Sequence, residues 1–448
     1  MNTETKNRQF DLLADCPPAM PKKLPGMIKT AISPLPSHIR MAGSNAIFPP
    51  MEAHMTGVSF VYWDNTTSEP NGMEGVVGCS AVGKGYVDPM IECAIRPLRE
   101  HDKESYRRLY EYDRVCNTSG SNKTKPDRPK DCAIFVPEAD MTNAALVQLL
   151  LDAEREGGHA MYTLMPEVDL MNQCCGSHEK VTRVIRLNFD AKRYGAQRVS
   201  SQGVKGNPIL RWRFNFACVE EKARQFFKGS LVDGTLGRIG FSYIPKPKTR
   251  LTPRQGKYDE RYCERMDEYI ARLTMAKGQF SIRPLNALML RLKEELEEVV
   301  DLSGDESGTF EGLVHRSLRI AWMKGCVLYL AEGQRFTAET ASFVQWCLYY
   351  DLWSKIHIFA PQMKVLRSRE VVDVRKYGPS NMLQALPVSF SREQLEQQRV
   401  KQDMSADGTG QLHNWCQRGF ITYDASTQLY TKTAEYLAKH PVQSDGKD

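Results

Sequence analysis

"VVGCSAVGKGYVD", residues 76–88, leads from an apolar pair into Gly78, reaches Gly83 five positions later and follows it at once with Lys84. Glycines let a backbone wrap closely around an anion, so that successive N–H groups and a helix N-terminus can hold it. A lysine directly after the second glycine adds a point charge near the outer phosphates of a nucleotide. The β-type run "MEGVVG" (73–78) supplies the strand such a loop needs in front of it. The Ser or Thr that ordinarily follows the lysine and ligates Mg²⁺ is Gly85 in this chain. Two readings stay open: a phosphate cradle made of Gly78, Cys79, Ser80, Ala81, Val82, Gly83, Lys84 and Gly85, or a glycine-rich turn between a strand and a helix.

A nucleotide-hydrolysing site also needs an acid at the end of a neighbouring buried strand, to orient water or hold metal. "HAMYTLMPEVD" (159–169) offers Glu167 just after an apolar run, with Asp169 two positions on and Pro166 in front. The strand-like "LRWRFNFAC" (210–218) alternates strictly, with Leu210, Trp212, Phe214 and Phe216 on one face. It offers Asn215 and Cys218 as polar groups near its end; for Asn215 the alternative is an outward residue of a half-buried strand. Arg238, in the glycine-flanked "VDGTLGRIGF", is a candidate for stabilising charge on a transferring phosphoryl group. An ordinary surface ion pair is the alternative.

Strand and helix patterns alternate around these motifs. "GVSFVYWDN" (57–65), "CAIFVPEAD" (132–140) and "GRIGFSYIP" (237–245) read as strands. "MTNAALVQLLLDAEREGG" (141–158) reads as a helix capped by Thr142 or Asn143 and ended by Gly157-Gly158. This alternation over about 200 residues predicts an α/β domain with a largely parallel sheet. Helical periods dominate from residue 253 onward, and a β period is expected again only near the end. The expected organisation is an N-terminal arm at 1–40, a core at 41–250, a helical region at 251–375 and a small domain at 376–448.

The 448 residues exceed what one hydrophobic core usually organises. With 41% apolar and 25% charged residues the composition is that of a globular chain, and no apolar run approaches the ~20 residues of a membrane span. The polar N-terminus lacks an apolar signal core, so a cytoplasmic protein without membrane partners is expected. The net charge of +6 is compatible with nucleic acid without specifying it. The twelve cysteines are scattered through apolar stretches with no CxxC pair, which predicts mostly reduced, buried thiols. Cys174, Cys175 and nearby His178 lack a second half-site at zinc spacing, so no metal is expected there.

Residues 381–439 have the outline of a winged helix. One helix is followed by a second that Ser391 can cap, then by a third, "TGQLHNWCQRG", and by two short β runs joined at Ala425-Ser426. The third helix of such modules often enters the major groove, while the wing touches phosphate. Gln411, His413, Asn414, Gln417 and Arg418, with Lys432 on the wing, are the candidate DNA contacts; a protein-binding role is the alternative. Trp415, Phe420 and Tyr423 are expected in the core.

The order of "FPPMEAHMTGVSFVYWDN", "VVGCSAVGKGYVD", "VPEADMTNAALVQLLLDAEREGGHAMYTLMPEVDL", "FNFACVEEKARQFF" and "GSLVDGTLGRIGFSYIP" resembles that of a family of P-loop proteins from bacterial mobile elements and phages. Members are helicase-like or primase-associated, and the resemblance spans about residues 40–360. It implies a RecA-like ATPase core, a helical region and a winged-helix-like domain, with ATP and Mg²⁺ as cofactors. Lys84 would bind the outer phosphates, Glu167 would be the catalytic or metal-orienting acid, and Arg238 the finger or sensor. The implied activity is an ATP-dependent helicase or translocase acting on DNA in replication or transfer of a mobile element. It would work as a homo-oligomer, in a ring, with other proteins of the element as partners. Longer relatives carry a primase-like domain before the ATPase; only a short arm stands there in this chain. Gly85 and Pro166 depart from the family pattern where Mg²⁺ is handled, which leaves a nucleotide-binding, non-hydrolysing adaptor as the alternative.

Overall fold

The computed structural model describes residues 12–118, 126–172, 174–175, 181–195, 204–228, 230, 233–246, 254–303, 308–359, 380–400 and 407–439. His178 and most of the polar loop at 119–131 lie outside them. The chain divides into two compact units, one of residues 1–292 with 313–359, the other of 293–312 with 360–448.

In the larger unit the first described residues are not an arm. Helices α1 (Gly26–Ala31), α2 (Arg40–Ala46) and α3 (Phe48–Glu52) bury Met27, Ile28, Ala42, Ala46 and Phe48 completely. Strands β1 (Val58–Val61), β2 (Thr67–Ser68) and β3 (Met73–Gly78) follow, then the long helix α4 (Asp88–Thr118). Short β4 (Met141–Thr142) precedes α5 (Asn143–Arg155), whose Ala145 N–H donates to Thr142 Oγ1 at 3.2 Å as the sequence predicts. Next come β5 (Met161–Met165), β6 (Cys174–Cys175), α6 (Val181–Phe189), β7 (Trp212–Cys218), α7 (Glu220–Phe226) and β8 (Gly240–Ile244). Beyond them α8 (Glu260–Met275), β9 (Gly278–Ser281), α9 (Arg283–Ser303), α10 (Thr309–Ala331) and α11 (Ala338–Phe359) complete the unit, α9 and α10 each running partly into the other one.

The main sheet has the order β5-β7-β3-β8, with every neighbouring pair parallel. The strand that leads into the glycine loop, β3, is therefore interior. The chain leaves β3 toward β5, past β7, and leaves β7 toward β8, past β3; with right-handed crossovers these oppositely directed connections leave the adjacent C-terminal ends of β3 and β7 on opposite faces of the sheet. The strand expected at 57–65 is β1, but it pairs with β2 and with the unforeseen β9 in a separate sheet. "CAIFVPEAD" is buried without becoming a strand. The amides of Phe135 and Val136 donate to the Asp102 carboxylate at 2.9 and 2.7 Å, and only Tyr162 N–H to Phe135 O (2.7 Å) ties the segment to β5 by its backbone.

Both faces of the sheet are covered, so β7 is buried on both sides. Trp212, Phe214 and Phe216 share one face with Phe241, and the rings of Phe227 and Phe359 pack edge-on to Phe241. Gly75 lies beneath this layer: a Cβ there would sit 2.3 Å from the Phe216 ring. The opposite face carries Arg213, Asn215, Glu74 and Ser242, all buried. Lys324 of α10 reaches Glu74 at 3.0 Å and Asn45 of α2 at 2.6 Å, while Ser242 Oγ donates to Glu74 at 2.9 Å. Burial pushes the Glu74 carboxyl up, against the pull of the Lys324 ammonium. At the β8 edge α11 replaces a missing strand: Asp351 accepts from Phe241 N–H at 2.8 Å and Ser354 Oγ from Tyr243 N–H at 3.0 Å. The helical region expected at 251–375 thus contributes α11 to the edge of the sheet. Most described cysteines are unpaired, but Cys93 of α4 and Cys263 of α8 are disulfide-bonded. Among the described residues no helix is long and apolar enough to cross a membrane.

The smaller unit carries α12 (Ser380–Ala385), β10 (Ser389–Phe390), α13 (Arg392–Val400), α14 (Thr409–Gln417), β11 (Ile421–Asp424), β12 (Leu429–Lys432) and α15 (Ala434–Lys439), with an antiparallel sheet of order β10-β12-β11. Ser391 and Gln394 form a capping box at α13: Ser391 N–H donates to Gln394 Oε1 at 2.8 Å and Gln394 N–H to Ser391 Oγ at 3.3 Å. Leu395, Leu412, Trp415 and Ile421 form its core with Phe420 packed alongside, whereas Tyr423 is half exposed on the strand's outer face.

Breaking a buried ion pair strands the remaining charge. Lys324→Met should therefore cost about 3–5 kcal/mol, read as a lowered urea midpoint. Adding Glu74→Gln to that variant should recover part of the loss.

Candidate functional site

The loop after β3 is held from both sides. His38 Nε2 lies 3.1 Å from Val82 O, and Gln255 Nε2 donates to Tyr86 O at 3.0 Å. The backbone turns through Ala81 at φ +61° and Gly83 at φ +89°, and the Val82 side chain is buried beneath it. A 3₁₀ turn, Lys84–Val87, then enters α4. Among the described residues the amides of Ser80, Ala81, Gly83, Lys84 and Gly85 donate to no other group of the chain. Backbone N–H groups are obligatory donors, so this run of five in one short segment offers an anion a ready set of partners. The Lys84 ammonium folds back over the loop and donates to the carbonyls of Gly78 (3.1 Å) and Cys79 (3.0 Å).

The neighbouring strands end beside this loop. Cys218, the last residue of β7, is register partner to Val77 of β3. Burial pushes its thiol up to about 12; the Lys84 ammonium opposes that shift, and the Glu167 and Asp169 carboxylates add to it. Lys84 and Glu167 therefore share the surroundings of one side chain at the C-terminal edge of the sheet. Glu167 is exposed just past β5 and makes no hydrogen bond or ion pair through its carboxylate among the described residues, whereas Asp169 pairs with Lys222 at 3.2 Å. From β8, the Tyr243 hydroxyl donates to Glu220 at 3.0 Å, and burial, followed by that carboxylate, raises it to about 12.

Arg238 and Asn215 are not brought to this place. Arg238 ends a 3₁₀ turn before β8, and Gly240 pairs with Glu74 while Ile244 pairs with Gly78. Four strand residues, about 13 Å, thus separate the Arg238 end of the sheet from the loop. Its guanidinium donates to Gly234 O at 2.9 Å, lies over the Phe189 ring and faces Asp190 at 3.8 Å. Within one chain it is no finger for Lys84. Asn215 pairs with Glu74, near the start of β3, where it accepts from Tyr162 Oη at 2.8 Å and donates to Ala46 O at 3.1 Å. It holds strands and α2 together and faces no loop.

In the smaller unit three of the six candidate DNA contacts are committed to the fold. Lys432 is buried and donates to Leu386 O at 2.6 Å, not to a ligand beyond the wing. Arg418 pairs with Asp301, and Gln411 accepts from Arg399 at 2.5 Å. His413, Asn414 and Gln417 remain exposed along α14, with Gln417 and His413 joined at 3.0 Å.

Sequence reasoning passed over Asp88, the last residue of the quoted loop and three positions beyond Gly85, although helical spacing alone places both on one face. Its carboxylate is half buried, and burial, then Glu92, raises it to about 6. No protein-family model matches the chain, and no curated protein matches it significantly.

Gly83→Ala should destabilise the fold by about 1–3 kcal/mol, because its positive φ is joined by a Cβ position only 2.6 Å from the Tyr86 ring. Gly85→Ala, with nothing nearer than 3.4 Å, should stay within about 0.5 kcal/mol. Thermal melts of the two variants compare them directly.

Proposed function

We propose that this chain is a P-loop nucleotide-binding protein of RecA-like build that binds ATP with Mg²⁺ at the loop from Gly78 to Gly85 and hydrolyses it with Glu167. One observation carries the reading: among the described residues, five unengaged amides and Lys84 follow the interior strand of a parallel sheet, where the connections from adjacent β3 and β7 leave on opposite faces. Open α/β sheets bind ligands outside the carboxyl ends of their strands at such a switch point. The chemical fit is to phosphate, since the segment offers N–H donors and one ammonium. On ligand arrival the ammonium exchanges two neutral carbonyl acceptors for charged phosphate oxygens, a stronger interaction. Mg²⁺ supplies charge neutralisation between the phosphates when bound. Glu167 takes the role of orienting a water, being a carboxylate at that edge with no protein partner among the described residues.

The larger activity proposed is a DNA helicase or translocase serving a mobile genetic element, with the α12–α15 unit as a winged helix presenting His413, Asn414 and Gln417 to DNA. A finger arginine has to come from a second copy, because Arg238 sits at the far edge; a ring of subunits supplies one. A second reading is favoured by that same placement of Arg238 together with Gly85: the chain binds ATP without splitting it and acts as an adaptor on DNA.

Lys84→Ala should abolish ATP binding in a calorimetric or fluorescent-nucleotide titration; unaltered affinity removes the loop from the reading. Glu167→Gln should bind ATP normally and lose turnover by about 10²-fold or more, measured as steady-state phosphate release with and without single-stranded DNA. No turnover by the unaltered chain, with binding intact, selects the adaptor.

A further inference from the structure

The loop carries no hydroxyl at position 85, yet an oxygen stands where that hydroxyl would act. A Cβ built on Gly85 would meet one atom within 4 Å, Asp88 Oδ2 at 3.4 Å. A serine or threonine oxygen lies one bond beyond Cβ, so the Asp88 carboxylate borders the same space. Helix geometry explains the approach: side chains lean toward the helix N-terminus, and a residue three positions on covers the turn before it. Asp88 opens α4 and leans back over Gly85.

Its carboxylate is also unengaged. Among the described residues Asp88 makes no side-chain hydrogen bond and no ion pair, although it is half buried. Glu92, one turn further, is already held by Arg99 through two bonds of 2.8 and 2.9 Å. The Arg99 charge is thus directed at Glu92, and among the described residues Asp88 has no cation partner. Phosphates placed on the loop amides would face this carboxylate, and two anions that close repel unless a cation stands between them. Mg²⁺ is commonly held by one or two carboxylates together with substrate phosphates.

We infer that Asp88 is the metal-ligating residue of the nucleotide loop, supplying Mg²⁺ with the oxygen that Gly85 cannot. The inference rests on the nucleotide-binding reading of Lys84 and its loop. It assigns to this chain a metal ligand from the first turn of α4, in place of the hydroxyl that follows the lysine in the usual pattern.

The test is the affinity of the full chain for ATPγS, measured by titration in Mg²⁺ and in EDTA, with Mn²⁺ spectra as a second readout. The unaltered chain should bind ATPγS about 10- to 100-fold more tightly with Mg²⁺, the range over which single groups tune protein metal sites. Asp88→Asn should lose that factor, and its affinity in EDTA should rise, because the phosphates no longer face a carboxylate. A merely structural role for Asp88 predicts no such crossing. Gly85→Ser in the Asp88→Asn background should restore the Mg²⁺ factor, which also shows that the doubly altered loop is folded. Bound Mn²⁺ should broaden with ATPγS on the unaltered chain and not on Asp88→Asn. Retention of the Mg²⁺ factor by Asp88→Asn overturns the inference while leaving the loop reading intact, as does ATPγS binding by the unaltered chain that is indifferent to Mg²⁺. Failure of the unaltered chain to bind ATPγS at all removes the loop reading, and the role of Asp88 falls with it.

Discussion

The larger unit depends on one buried ion pair. Glu74 sits on the interior strand β3, and Lys324 enters from α10, 250 residues later. Two charges taken out of water attract strongly, but the gain offsets desolvation only when the remaining polar atoms are also satisfied. They are satisfied here by Asn45 and Ser242. The four side chains come from α2, β3, β8 and α10, so the pair fixes the N-terminal helices, the middle of the sheet and a late helix against one another. A hydrophobic contact would tolerate sliding; this one has a single satisfactory geometry.

The pair also explains why one face of the sheet is polar without being wet. Arg213, Asn215, Glu74 and Ser242 line it, and Glu52 of α3 joins them, its carboxyl raised to about 7 by burial against the pull of Arg213. The other face is a layer of aromatic rings from Trp212 to Phe359. Aromatic packing supplies the larger apolar burial, while the polar face supplies position. The β8 edge is closed by Asp351 and Ser354 of α11, so the sheet presents no unpaired ladder there.

Much of this was legible in the sequence where the signal was local. The apolar runs at 73–78, 161–165, 212–218 and 240–244 became the four parallel strands, Thr142 and Ser391 cap the helices they precede, and the glycine loop lies at the end of its strand. What stayed hidden depended on partners distant in sequence. "CAIFVPEAD" has strand composition, but Asp102 takes its amides. Lys432 looks like a wing cation until its ammonium is found on the carbonyls that end α12. Arg238 precedes a strand and Lys84 follows one; in a parallel sheet that difference sends them to opposite edges, a deduction the sequence allowed once the strands were known to be parallel. Lys324, in the apolar "AWMKGCVLYL", was a sign of a buried carboxylate somewhere, yet nothing local pointed to Glu74.

The two edges of the sheet therefore divide the work. Toward the starts of the strands, charged groups are held within the fold: Glu74 by Lys324, and Arg238 by the Gly234 carbonyl and, at 3.8 Å, Asp190. Each such bond stabilises the fold and removes a group from chemistry. Toward the ends of the strands the balance is reversed. Among the described residues Lys84 holds only neutral carbonyls, Asp88 and Glu167 hold no protein partner through their carboxylates, and five amides stand unused. These groups lie at exposed or half-buried positions, open to water and to any ligand that reaches this edge. Under the function proposed above, their signs of charge suit a polyanion at the lysine and amides and a cation between that polyanion and the two carboxylates. A metal-bound nucleotide is one molecule that meets both requirements.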